Sequence, residues 1–140
     1  MNLVDQLLKA DVKKAEELEV KVFGSQKLAK ILGTEEKTVD VTIREVKSRR
    51  VNDIIAYQMD RKGRFDYSKS FDAKVMMCVE GVVDPDLRNK NLQEYFGCAN
   101  AKELTEKLFG NEVSELSDAI SELSGVKTDD DEDPEEEVKN

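Results

Sequence analysis

Apolar residues return at helical spacing along most of this chain and at strand spacing over one clear stretch. Leu3, Val4, Leu7, Leu8, Ala15 and Leu18 share a broad arc with Asn2 placed to cap it, which predicts an amphipathic helix over 3–18. Val20 and Val22 then alternate like a short strand, while Ser25 followed by Leu28, Ile31, Leu32 and Gly33 reads as a capped two-turn helix. Over 38–43, Val39, Val41 and Ile43 lie on one side with polar groups on the other, the pattern of a half-buried strand. One strand cannot satisfy its own backbone, so 19–23 is its nearest candidate partner in an antiparallel ribbon.

Ser48 is expected to cap a helix in which Val51, Ile54, Ile55 and Met59 follow the i, i+3, i+4, i+8 template until Lys62-Gly63 ends it. Asp66 or Ser68 restarts the chain into 71–86, the most apolar stretch of a sequence that is 38% charged. On a helical wheel Phe71, Val75, Cys78, Val79 and Val82 share the expected core face, and Ala73 and Met77 lie nearly opposite. The second face then needs a cover, from the same chain or from a partner protein. Pro85 disfavours helix at Asp84, so the helix is expected to stop at Val83 with a turn over 84–86.

Leu92, Tyr95 and Phe96 form a cluster ending at Gly97, and Asn100 with Glu103 resembles a capping box for a helix carrying Leu104 and Leu108, closed by Gly110. Over 111–123, Val113, Leu116, Ile120 and Leu123 make a narrow packing seam, too short between Gly110 and Gly125 to sustain a coiled coil. The expected fold class is α+β and mainly α: several short helices with a small antiparallel β-ribbon in the N-terminal third. One domain over 1–126 is followed by a disordered acidic tail, 127–140, with too little apolar content to offset its ordering entropy.

Charge changes the picture chiefly through its location. Residues 128–140 hold eight acids against one base, so the tail carries −7 of the net −9 and the rest of the chain is close to neutral. Clustered bases for counterion release occur only at Lys47-Ser48-Arg49-Arg50, which argues against nucleic-acid binding. No apolar run approaches the roughly 20 residues that cross a bilayer. Two cysteines, Cys78 and Cys98, in a highly charged chain without a signal peptide point to free thiols in a reducing cytosol.

Candidate chemistry is sparse. The chain has no His, no Gly-rich phosphate loop, no G-x-S-x-G elbow and no C-x-x-C, so no catalytic, cofactor-binding or metal-ligating residue is nominated and no enzyme is expected. The acidic run from Asp129 lacks the sixth-position Gly and twelfth-position Glu of a calcium loop; it reads as a solubilising tail or a docking segment. Arg49 and Arg50 read either as a docking patch or as partners of Asp53 and neighbouring acids; basic charge at a helix start opposes the macrodipole. Met59, Met76 and Met77 are candidate contacts because Met adapts to varied partners, with core filling as the alternative. Met77, opposite the expected core face, is the preferred contact.

Three segments carry a family resemblance: Thr-Ile-Arg-Glu-Val-Lys-Ser-Arg-Arg; Phe-Asp-Ala-Lys-Val-Met-Met-Cys-Val-Glu-Gly-Val-Val-Asp-Pro-Asp-Leu; and Lys-Leu-Phe-Gly-Asn-Glu-Val with the later Leu-Ser-Gly. In this order they resemble the XkdN-like phage tail assembly chaperones over roughly residues 1–126, the length of one domain. The resemblance implies a bacteriophage or prophage protein that binds the tape measure protein, keeps it soluble and helps recruit tail tube subunits. It implies no catalytic residues, action in the cytoplasm of the bacterial host, and absence from the finished particle. Self-association is a further possibility, and a structural tail completion or connector protein is the competing expectation.

Overall fold

The computed structural model describes residues 2–126; the tail expected over 127–140 lies outside the described residues. The predicted helix over 3–18 is instead two pieces, α1 (Leu3–Leu7), capped by Asn2, and a 3-10 turn (Val12–Ala15), capped by Asp11. None of residues 2–17 is even half-buried, so no tertiary packing rewards a longer helix, and Asp11 caps a new turn in its middle.

Both readings of 19–33 hold. Strand β1 (Val20–Ser25) runs into α2 (Gln26–Leu32), whose amide at Leu28 donates to the Ser25 hydroxyl and whose end is left-handed Gly33, φ 66°. Strand β2 (Val39–Arg44) pairs antiparallel with β1, from Val20 opposite Arg44 to Ser25 opposite Val39. Helix α3 (Ser48–Tyr57) follows, but Ser48 is its first residue and not its cap; Lys47 holds the cap position and gives no side-chain bond. It also stops before Lys62-Gly63, at Tyr57.

The apolar segment forms α4 (Ser70–Gly81), which ends two residues sooner than expected because Val82–Asp84 leaves the helix as β3 and pairs with β2. The ribbon is thus a three-stranded antiparallel sheet in the order β1-β2-β3. Then come α5 (Lys90–Tyr95), capped by Asn89; α6 (Ala101–Phe109), capped by Asn100; and α7 (Val113–Leu123). One half of the expected capping box is present, the Glu103 amide donating to Asn100 at 2.9 Å; the Glu103 carboxylate accepts at 2.7 Å from the amide of Ala99, one residue before the cap. The architecture is α+β and predominantly helical.

Helix α4 is the hub, packed by α3, α6 and α7, while α7 also backs β1 and β2. Its burial corrects the wheel. Val75, Cys78 and Val82 are buried as expected, but so are Ala73 and Met77, and Phe71 at the open first turn is exposed. The second apolar face is covered by the same chain. The α4–α7 crossing is close because Gly81 has no side chain: a Cβ there would overlap Ile120, with Cδ1 at 2.8 Å. The seam predicted for α7 faces this crossing, with Val113, Leu116 and Ile120 fully buried.

Candidate protein-binding surface

The link between α3 and α4 is shaped by two aspartates. One carboxylate oxygen of Asp60 accepts from the amides of Lys62 (2.8 Å) and Arg64 (2.9 Å), and the other accepts from Arg64 Nε (3.0 Å), while Gly63 supplies the left-handed residue, φ 77°. Asp66 donates its amide to the Gln58 carbonyl at 2.6 Å and accepts from the amide (3.0 Å) and hydroxyl (2.6 Å) of Ser68, capping a 3-10 turn over Tyr67–Lys69. The Arg64 amide holds the Asp60 carboxyl below its ordinary value, and the Ser68 hydroxyl does the same for Asp66.

This loop closes as a small hairpin in which Met59 bridges to Phe65. It holds apolar groups outward. Phe65 and Tyr67 meet edge to face with centroids 4.5 Å apart, and Ile55, Met59, Phe65, Tyr67 and Phe71 are all exposed, Tyr67 by 82%. Tyr57 donates to Asp72 at 3.3 Å and lies under the Lys69 ammonium; desolvation first, then Asp72, disfavours the phenolate and raises its pKa above the ordinary value.

Beside the hairpin, a groove of about 180 Å³ opens between α3, α4 and α7. Val51, Ile54, Ala73, Met77 and Ser117 line its buried side; Ile55, Gln58, Lys74 and Asp118 lie nearer solvent, with Val126 among its walls. Apolar wall and aromatic rim adjoin, because Ile55 and Gln58 line the groove and Met59 directly follows Gln58.

Of the nominated contacts, Met59 stands exposed on this rim. Met77 lines the groove but is only 5% exposed, so it does not face outward as the wheel suggested. Met76 is half-buried against the core. Arg49 is exposed at the other end of α3, and Arg50 pairs with Glu80 at 3.2 Å, not with Asp53. Glu80 also takes Arg88 at 2.7 Å, so one carboxylate links α3, α4 and the chain after β3. Phe65, Tyr67 and Phe71 are exposed on the same side although the sequence reading nominated none of them. Their signal was the period-two pair Phe65 and Tyr67 flanked by the turn-forming Asp60 and Gly63.

The chemistry of the surface is burial. Each exposed Ile, Met or Phe that a partner covers contributes about 1.5–3 kcal/mol before ordering costs. Cys78 is enclosed, its Sγ 3.7 Å from the Val113 carbonyl oxygen, and burial pushes its thiol up to about 12. Among the described residues no group of three or more His, Cys, Asp and Glu could hold a metal ion, and no helix is long and apolar enough to cross a membrane.

The profile of the family described as "Phage XkdN-like tail assembly chaperone protein" matches residues 4–139, which takes in the acidic run that the sequence resemblance left out. A solved structure, described as the crystal structure of the protein YqbN, is similar with a TM-score of 0.55 at 15% identity, covering 79% of this chain and 90% of that one. At that identity the likeness is one of fold. No match was found among curated proteins.

Proposed function

We propose a function from one premise, that this chain belongs to the phage XkdN-like tail assembly chaperone family: it binds the tape measure protein during tail building. In doing so it keeps that long helical protein soluble and helps bring tail tube subunits to it, in the host cytoplasm and without entering the finished particle. The observation that carries this reading is the groove between α3, α4 and α7, next to the hairpin that holds Met59, Phe65 and Tyr67 exposed. The groove's apolar floor of Val51, Ile54, Ala73 and Met77 takes apolar side chains of a partner helix, and Gln58, Ser70, Lys74, Asp118 and Ser121 around it take that helix's polar ones. The Asp60 and Asp66 hydrogen bonds hold the rim in place before binding, which lowers the entropic cost of docking.

Co-expression with the tape measure protein of the same phage tests the reading. The chain is expected to co-purify with it and to raise its soluble fraction. Ile55→Lys with Tyr67→Ser, both at exposed positions, is expected to weaken capture about tenfold or more with an unchanged melting curve. Met77 is unsuited to this test because a carboxylate there would be buried without a partner. Failure to co-purify, with the tape measure protein still precipitating, would overturn the proposal. So would stoichiometric amounts of the chain in purified particles, which would make it a structural tail component.

A further inference from the structure

The N-terminal arm is an apolar element with no cover among the described residues. Leu3, Val4, Leu7, Leu8 and Val12 are 63–80% exposed, and the first four lie at 3, 4, 7 and 8 on one side of α1. A five-residue helix has little stability in water unless its apolar side is packed.

The sheet presents a matching vacancy. α7 backs one face of β1 and β2; on the other, Val20 and Val22 of the edge strand β1 are 63% and 52% exposed. Across the ladder they stand opposite Arg44 and Thr42, and Asp40 stands opposite Gly24, where there is no side chain. The arm cannot easily fold back onto this face of its own sheet. Glu19 is held at both ends by Glu45, its amide donating to the Glu45 carboxylate at 2.7 Å and its carbonyl accepting from the Glu45 amide at 2.8 Å, so the chain is fixed where it would have to reverse.

We propose that α1 and the turn after it lie across the outer face of β1 and β2 of a second copy of this chain, in a reciprocal exchange that forms a two-fold dimer. The area fits. The five arm side chains present roughly 600 Å² of apolar surface, so two arms and the faces they cover exceed the ~1,200 Å² at which stable interfaces begin. A two-fold exchange uses each patch twice and closes on itself. The inference is independent of the tape measure reading, which uses another surface.

Sedimentation velocity on the full chain tests it. The mass is expected to move from 15.9 kDa to twice that as concentration rises to about 100 μM. Leu7→Glu with Leu8→Glu, and separately Val20→Thr with Val22→Lys, are each expected to weaken association at least tenfold. Both pairs are exposed, so circular dichroism should show the fold intact. Mixing the two variants restores one intact arm on one intact sheet and should give more dimer than either alone. A monomer throughout overturns the proposal. So does a dimer indifferent to either pair, or no gain on mixing.

Discussion

Replacing Glu112 should destabilise a helix 86 residues earlier in the chain. One Glu112 oxygen accepts from the Ser25 hydroxyl at 2.6 Å and the other from the Gln26 amide at 2.8 Å, with the Lys27 amide at a longer 3.4 Å. The carboxylate therefore satisfies first-turn donors of α2 that have no partner within the helix, and it places negative charge at the positive end of the helix dipole. Hydrogen bonds to charged groups contribute about 1.5–3 kcal/mol each. Water can replace the carboxylate at the exposed Gln26 but not at Ser25, which is 0% exposed, so Glu112→Ala should cost about 2 kcal/mol. Glu112→Gln keeps one acceptor and loses the charge, for about 1 kcal/mol. Ser25→Ala removes both this contact and the cap to Leu28, and a double-mutant cycle with Glu112→Ala should give a coupling of about 1 kcal/mol. Urea unfolding followed by circular dichroism reads these as midpoint shifts at constant slope. A cost below about 0.5 kcal/mol for Glu112→Ala, or strict additivity with Ser25→Ala, would refute the reasoning.

Gly81→Ala should lower stability by about 1–3 kcal/mol through the clash with Ile120, and combining it with Ile120→Ala, which removes all three overlapping carbons, should cost less than the sum of the two single changes in the same urea assay. In the native protein a maleimide should label Cys98, which is half-buried, and reach Cys78 only after unfolding; equal rates at both thiols would contradict the burial. Because the Cys78 thiol is raised from 9.0 to about 12 on folding, the unfolded chain loses its proton first. Stability should therefore be intact below pH 9 and fall as pH rises from 9 towards 12, and Cys78→Ala should flatten that slope.

Elements with local signals were legible in the sequence. Ser25 with Gly33, and Asn100 with Glu103 and Gly110, mark helix ends through bonds made within a few residues, and the structure keeps both pairs. The alternation over 38–43 likewise gave β2. What escaped depends on partners distant in sequence. Strand β3 is three residues long and exists because β2 has a second side to pair, so to pattern reading it continues the apolar helix towards Pro85. In α4, neighbours on several sides bury Ala73 and Met77 along with Val75 and Cys78, and a wheel has no means of ranking two apolar faces. Its most outward candidate, Met77, is therefore inside, whereas Met59 reached the surface because α3 ended earlier than its apolar spacing indicated.

Val126, half-buried, is one wall of the groove between α3, α4 and α7. In sequence, Val126 is followed at once by the acidic run, eight acids against two bases over 127–140 and six net negative charges. On the proposed function, discrimination and grip then fall to different parts of the chain. A tethered anionic field hastens the arrival of basic segments and turns acidic ones away, fading with salt over a Debye length of about 10 Å at 0.1 M. The rate of release is then left to the apolar rim, so the ionic strength of the medium acts on recruitment and the shape of the hairpin on residence.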